Sequence, residues 1–415
     1  MRQQHSKPEL LAPAGTMDAL RAAVHFGADA VYGGMQRFGL RAFAGNFDGA
    51  ALAEAVAYCH RHGRRFYLTM NVFPYDDELG DFVAAARQAR DTGVDAVIVS
   101  DLGAICALRE ALPELPVHVS TQASTVNSAA IRHYGALGCS RVILARELSL
   151  DRISALREHV PPEMELETFV HGASCMAWSG RCLLSAQLAG RSGNRGECAQ
   201  PCRWRYAVEE EKRPGEYLPV AEDLRGTYIF SARDLNLMPL LPDLVRAGVA
   251  SLKIEGRMKT EYYVAVTVGA YRRALDLLAE SEEAFAAALP ALMEELKCAS
   301  HRAWDTGFLL GNPESPGGAE GFSQTREYVA RALTDAAPGQ EADFLLKNRF
   351  HQGDRLELMT PGGPLPVTAP DFLRVKTGER LTTFGVAGET IRMALSEGVR
   401  AGDMLRGAVR NHREG

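Results

Sequence analysis

From residue 9 to about residue 279, short apolar runs alternate with helical patterns. Residues 9–12 read as a strand that ends in Pro13, Ala14 and Gly15. Thr16 then caps a helix over 17–26, with Asp18 in its first turn, where the helix dipole favours an anion. A second strand, 28–32, closes in Gly33 and Gly34, and a loop runs to Asp48 before a helix over 49–62. The rhythm repeats with strands at 66–72, 96–100, 117–121, 141–145 and 165–170. Helices at 78–91, 102–112, 128–137 (capped by Asn127) and 150–159 separate them. The pattern breaks from residue 171 to about 230 and resumes with a helix at 237–247, an eighth strand at 250–254 and a long helix at 260–279.

Serial strand–helix units argue for a parallel sheet, because each parallel connection needs a crossover. Eight is the number that closes a TIM-type (β/α)8 barrel of ~250 residues. The rival, an open doubly wound sheet, wants a phosphate-binding G-x-G-x-x-G after its first strand. This chain has Pro13-Ala14-Gly15-Thr16 there. The expected class is therefore α/β, a TIM-type barrel, with the aperiodic 171–230 segment as the loop after strand 7 on the catalytic face.

Beyond the barrel, 284–297 is helical and 313–321 is a Gly/Pro-rich linker. Short alternating strands follow at 328–333, 341–346, 355–358, 365–367, 372–375 and 391–394, divided by turns such as Pro361-Gly362-Gly363. That spacing predicts a small C-terminal antiparallel β-barrel with a docking or substrate-orienting role. The expected organisation is a barrel domain over 1–280, a helical segment and linker over 281–325, and the β module over 326–415.

Composition adds limits. The 415 residues are 46% hydrophobic and 24% charged, an ordinary globular balance. The 46 Lys and Arg against 52 Asp and Glu give a net charge of −6. A generally basic nucleic-acid binder is excluded; a local basic patch is not. No apolar run approaches the ~18 residues of a membrane helix, and the polar start, 1–8, has no signal-peptide character. A cytoplasmic protein is expected. In that compartment a cysteine cluster points to metal or catalysis before disulfides.

Such a cluster exists. Of eight cysteines, Cys59, Cys106, Cys139 and Cys298 are scattered, and read as small buried hydrophobes. The others form Cys175-x6-Cys182-x15-Cys198-x3-Cys202, all inside the aperiodic segment. Gly180, Gly190, Gly193 and Gly196 let backbone approach sulfur closely. Zinc sites favour two short knuckles, and only the last pair is one. The wide first spacing suits an iron–sulfur cluster better, although it follows no common ferredoxin pattern. Iron–sulfur, zinc and thiol chemistry all remain open on spacing alone. Arg181, Arg191, Arg195, Arg203 and Arg205 outnumber the lone Glu197 here, interleaved with Trp178, Trp204 and Tyr206. Arginine beside aromatics offers phosphate pairing and base stacking; a solvated loop with tryptophan anchors is the plainer alternative.

Strand ends supply the second set: Tyr32, Asn71, Asp101, Gln122, Arg146 with Glu147, Glu167 with His171, and Lys253-Ile254-Glu255-Gly256-Arg257. Polar groups there line the pocket of a barrel enzyme. His171 reads as an acid/base near the metal or as a structural bridge. Arg257 suits bidentate capture of carboxylate or phosphate, with Glu255 orienting it, or both belong to an internal ion-pair network. Arg233-Asp234 reads as a helix cap plus a pocket charge. There is no H-E-x-x-H and no G-x-S-x-G. A Cys175–His171 pair would leave three further cysteines unexplained.

The segment Glu167-Thr-Phe-Val-His171-Gly-Ala-Ser-Cys175-Met-Ala-Trp-Ser-Gly180-Arg-Cys182 resembles the signature of the collagenase-like U32 peptidase family. So do Glu9-Leu-Leu-Ala-Pro-Ala-Gly15, Ala28-Asp-Ala-Val-Tyr32-Gly-Gly34 and Leu252-Lys-Ile-Glu-Gly-Arg257, and the likeness runs nearly the whole chain. Asn194-Arg-Gly-Glu-Cys198 with Cys202-Arg-Trp204 is most similar to the members that modify tRNA. The resemblance implies that Cys175, Cys182, Cys198 and Cys202 bind a four-iron four-sulfur cluster. It implies an O₂-independent hydroxylation of the tRNA wobble uridine to 5-hydroxyuridine, dependent on prephenate. Some relatives hydroxylate ribosomal RNA instead, and the peptidase label comes from collagen-degrading relatives. On that reading Arg257, Lys253 or Arg146 takes the two carboxylates of a prephenate-like molecule. Trp178, Trp204, Arg181 and Arg203 take the exposed base and its phosphates, Asn71 and Gln122 line the substrate site, and His171, Glu255 and Asp234 are the catalytic candidates.

Overall fold

A computed structural model describes residues 7–40, 45–175, 179, 182–204, 221–223, 226–228, 233–311 and 322–410. Eight parallel strands close into a ring. They are β1 (Glu9–Pro13), β2 (Ala30–Gly34), β3 (Arg65–Thr69), β4 (Ala96–Val99), β5 (Val117–Val119), β6 (Arg141–Ile143), β7 (Glu165–Ala173) and β8 (Ser251–Ile254). Each pairs with the next, and β8 pairs with both β7 and β1, with Ser251 opposite Glu167 and Glu9. The TIM-type barrel is thus as expected.

The apolar runs explain why these segments are strands. Ala-Val-Ile-Val of β4 is buried on both faces, the signature of a parallel strand covered by helices. The helices start where their caps stand. Thr16 Oγ1 accepts from Ala19 N at 3.2 Å, Asp101 Oδ1 from Ala104 N at 2.8 Å and Asn127 Oδ1 from Ala130 N at 2.9 Å. Asp101, one of the strand-end candidates, is therefore the N-cap of the helix Leu102–Ala111.

Strand β7 continues past its expected end to Ala173. The extension pairs antiparallel with a short strand, Asp234–Asn236, which pairs in turn with Trp304–Asp305. Asp234 is thus a strand residue rather than a helix cap. Arg302 holds it through Nη2 at 2.8 Å, Nε at 3.0 Å and its backbone N at 3.1 Å. Helical periodicity gave no sign of this, because the partner strands are only three and two residues long.

Two compact units make up the chain. The first holds Met1–Leu20, Ala28–Lys259 and His301–Phe322, and so contains the barrel and the cysteine segment. The second holds Arg21–Gly27, Thr260–Ser300 and Ser323–Gly415. Its helices Glu261–Glu280 and Glu282–Leu296 are capped by Thr260 and Ser281. Its alternating segments pair into one eight-stranded antiparallel sheet, with Gly363–Thr368 and Glu379–Leu381 at the two ends. Phe344, Phe350, Phe372, Ile391 and Leu405 form its apolar core. Arg406 is buried there against Glu295, bidentate at 2.8 Å and 2.8 Å.

Candidate active site

The barrel interior carries charge. Near the amino ends of the strands, Arg141 donates to Glu9 at 2.6 Å and to Glu167 at 3.0 Å. Tyr67 and Ser251 donate to Glu9 at 2.8 Å and 3.0 Å. Burial opposes ionisation of Glu9, but Arg141, Arg65 and the Tyr67 hydroxyl together outweigh it and keep the carboxyl below its usual range. Glu167 turns its other oxygen to Lys253 Nζ at 2.9 Å. Burial pulls the Lys253 ammonium below its normal pKa, against the support of Glu167. Lys253 Nζ also lies 4.2 Å from the centre of the Tyr32 ring.

Lys253 marks the floor of a cavity of about 250 Å³ at the carboxyl ends of the strands. Asn71, Gln122, Arg146, Glu255 and Arg257 line it, each just past a strand. Asn71 Nδ2 donates to Gln122 Oε1 at 2.8 Å, and Ser120 Oγ to the same oxygen at 2.9 Å, so the amide wall is fixed. Arg146 lies over the Phe169 ring at 4.0 Å, donates to Ala173 O at 2.9 Å and stands 3.9 Å from Glu255. Buried Arg257 donates to Thr69 Oγ1 at 2.8 Å. Its guanidinium lies where a Cβ on Gly34 would stand, so the Gly33-Gly34 strand end is what makes room for it.

All four clustered cysteines line this same cavity, and none of them is in a disulfide. The loop that carries them is tied to the barrel. Ser179 N donates to Glu147 Oε1 at 2.7 Å, Ser179 Oγ to Glu147 Oε2 at 3.1 Å, and Ser124 Oγ donates to the Ser179 carbonyl. Arg195 is bidentate on Glu78 at 2.6 Å and 3.0 Å, and this bond holds the Glu78 carboxyl down at about 2. Gly196, at φ +88°, packs so closely on Gly39 that a Cβ would meet its carbonyl at 2.8 Å. Gln200 N donates to Cys198 Sγ at 3.4 Å, and Ala199 N to Ser185 Oγ at 3.0 Å.

The remaining cysteines differ. Cys59, Cys139 and Cys298 are buried as expected while Cys106 is only half-buried, and burial pushes the Cys59 thiol to about 12 and the Cys139 thiol to about 11. Such thiols are protonated and inert. Among the described residues, no three His, Cys, Asp or Glu side chains stand close enough to hold a single metal ion.

His171 and Asp234 are absent from the described residues that line the cavity. His171 is buried edge-on to Trp304, with ring centres 6.1 Å apart, and burial pushes its pKa down to about 3. Trp204 is exposed and donates Nε1 to Ala199 O at 3.2 Å. Trp178, Arg181, Arg205, Tyr206 and the Arg203 side chain lie outside the described residues. Thr69, Phe169, Ser120 and Ser179 line the cavity unannounced by the sequence pattern. Strand alternation gives a signal for two of them, since Phe169 shares the inward parity of Glu167 and Thr69 that of Tyr67.

Fold and site together define a TIM-type barrel whose catalytic-face cavity is lined by cations from the strand ends and by a four-cysteine loop. The chain belongs to peptidase family U32: the family model matches residues 15–318, and that of the family's C-terminal domain matches 324–406. It is 38% identical to the tRNA hydroxylation protein P of Escherichia coli, over 93% of each chain. It is 37% identical to tRNA hydroxylation protein P1 of Bacillus subtilis, over 86% of this chain and 84% of that one. It is also 30% identical to a collagenase of Porphyromonas gingivalis, over 96% and 97%.

Proposed function

We propose that this protein hydroxylates RNA, and that its substrate is the wobble uridine of tRNA, converted to 5-hydroxyuridine without O₂ at the expense of a prephenate-like dicarboxylate. The observation that carries this reading is the meeting of four cysteines outside any disulfide and three cations, Arg146, Lys253 and Arg257, in one barrel-end cavity. The likeness to tRNA hydroxylation proteins over most of both chains supports it.

Cys175, Cys182, Cys198 and Cys202 would hold a four-iron four-sulfur cluster. The donor set fits in its chemistry, being four soft thiols that line one cavity with a backbone N–H already on one sulfur. When bound, that group supplies one-electron chemistry. Arg146 and Arg257 bind carboxylates, each preset by its own neighbours. Lys253 supplies positive charge from the floor, its Glu167 partner fixing where the ammonium points. Glu255, facing the cavity beside Arg146, is the acid/base group within reach of substrate. His171 is neutral at physiological pH and acts with Asp234 as a positioning residue behind the wall. Asn71 and Gln122 present amide groups to the base edge. Trp204 and the loop arginines meet the nucleic acid, a local contact on an acidic chain and therefore salt-sensitive.

Mass spectrometry of tRNA from a deletion strain tests the reading. Loss of 5-hydroxyuridine is expected; intact modification in a strain with no paralogue overturns it, and loss from ribosomal RNA alone moves the substrate. A peptidase is the second reading, favoured by the likeness to the collagenase. Gelatin cleavage by the pure protein, abolished in Cys175→Ser, would establish it.

A further inference from the structure

A second cavity, of about 690 Å³, adjoins the first and shares Gln122 with it. Phe73, Tyr75, Tyr134, Leu183 and Arg195 line it. Three of the lining side chains present apolar surface to solvent: Tyr75 is 63% exposed, Leu183 73% and Leu102 48%. The Arg195 guanidinium lies over the Tyr75 ring, 4.6 Å from its centre. Glu78 grips Arg195 from the side through both oxygens, and Arg195 donates to Phe73 O at 3.3 Å. The stack is therefore rigid.

The charges identify the ligand. Glu78 neutralises Arg195, and Asp101 also lines the cavity. A phosphate would meet two carboxylates for one cation. An uncharged planar group meets a fixed arginine–tyrosine platform with apolar walls, which is how single-stranded nucleic acid is held through its bases. The volume lies within the range of small-ligand sites. We propose that this cavity takes the nucleobase next to the one being modified, stacked at Tyr75 and Arg195, while the target base enters the cysteine-walled cavity on the other side of Gln122. This rests on the RNA reading above. It adds a consequence for assembly, since Tyr75 comes from the loop after β3 whereas Arg195 and Leu183 come from the cysteine loop. The base subsite is complete only when that loop is docked.

Binding of an anticodon stem-loop RNA to the full-length protein tests it. Tyr75→Ala is expected to weaken binding about 5- to 100-fold, the range of one lost base stack, and Tyr75→Phe to restore it. Removing the base beside the wobble position from the RNA should weaken wild-type binding by a similar factor and leave Tyr75→Ala unaffected. Equal binding of wild type and Tyr75→Ala, or additive losses in the combined experiment, overturns the subsite. Failure of the RNA reading shows separately, as intact 5-hydroxyuridine in tRNA from a deletion strain with no paralogue.

Discussion

Two groups of buried charge sit in one barrel and differ in what they face. At the amino end, Glu9, Tyr67, Arg141 and Glu167 are bonded to one another, and one Glu167 oxygen reaches on to Lys253. At the carboxyl end, Arg146, Lys253 and Arg257 are held by neighbours yet also line open space beside four thiols. The first group is bonded within the barrel wall and shares only Glu167 with the second. The second also presents its charges to the cavity. Position along the barrel separates a network that holds the fold from one that can hold a ligand, although the residue types are the same.

Removing Arg141 is the severest way to break the comparison. Arg141→Ala strands Glu9 and Glu167 in the interior and should cost about 3–5 kcal/mol, read as a large drop in the thermal midpoint. An equal cost from Arg257→Ala would erase the distinction, because a ligand-facing cation should lose binding before stability. For Arg257→Ala the expected result is a near-wild-type melting curve with dicarboxylate affinity reduced by about 2–3 kcal/mol, the scale of a charge-assisted hydrogen bond, measured by calorimetry.

Acid sharpens the contrast further. His171 is held neutral to about 3, and burial also pushes His118 well below its usual pKa. Both folded pKa values are depressed below the unfolded value near 6.5. Between those values the unfolded chain binds protons that the folded chain refuses, so stability must fall as pH drops below about 6.5. His171→Gln should flatten the denaturation curve between pH 6.5 and 5; an unchanged slope would show that His171 does not titrate as described. The smallest effect belongs far from either group. Asn127→Ala removes one helix cap and should cost about 1 kcal/mol, with no change in ligand affinity.

Much of this was legible in the chain. The strand positions, Asn127 as a cap and the segregation of eight cysteines into four and four all follow from local pattern. The site was legible as a list: Lys253, Glu255, Arg257, Arg146, Asn71 and Gln122 all reach the cavity. His171 and Asp234, equally polar and equally near strand ends, do not line it: β7 runs on to Ala173 and pairs with the strand that holds Asp234, which is too short to show periodicity.

What the sequence determined by itself was whatever depends on near neighbours: alternation, caps, turn glycines and cysteine spacing. What only the tertiary structure decided was partnership across the ring. Arg141 meets Glu9 from 132 residues away, Lys253 meets Glu167 from 86, and Arg195 meets Glu78 from 117. Barrel closure sets the first two pairs through strand register, a property of the whole ring rather than of any segment in it, and the seating of the cysteine segment against the loop after β3 sets the third.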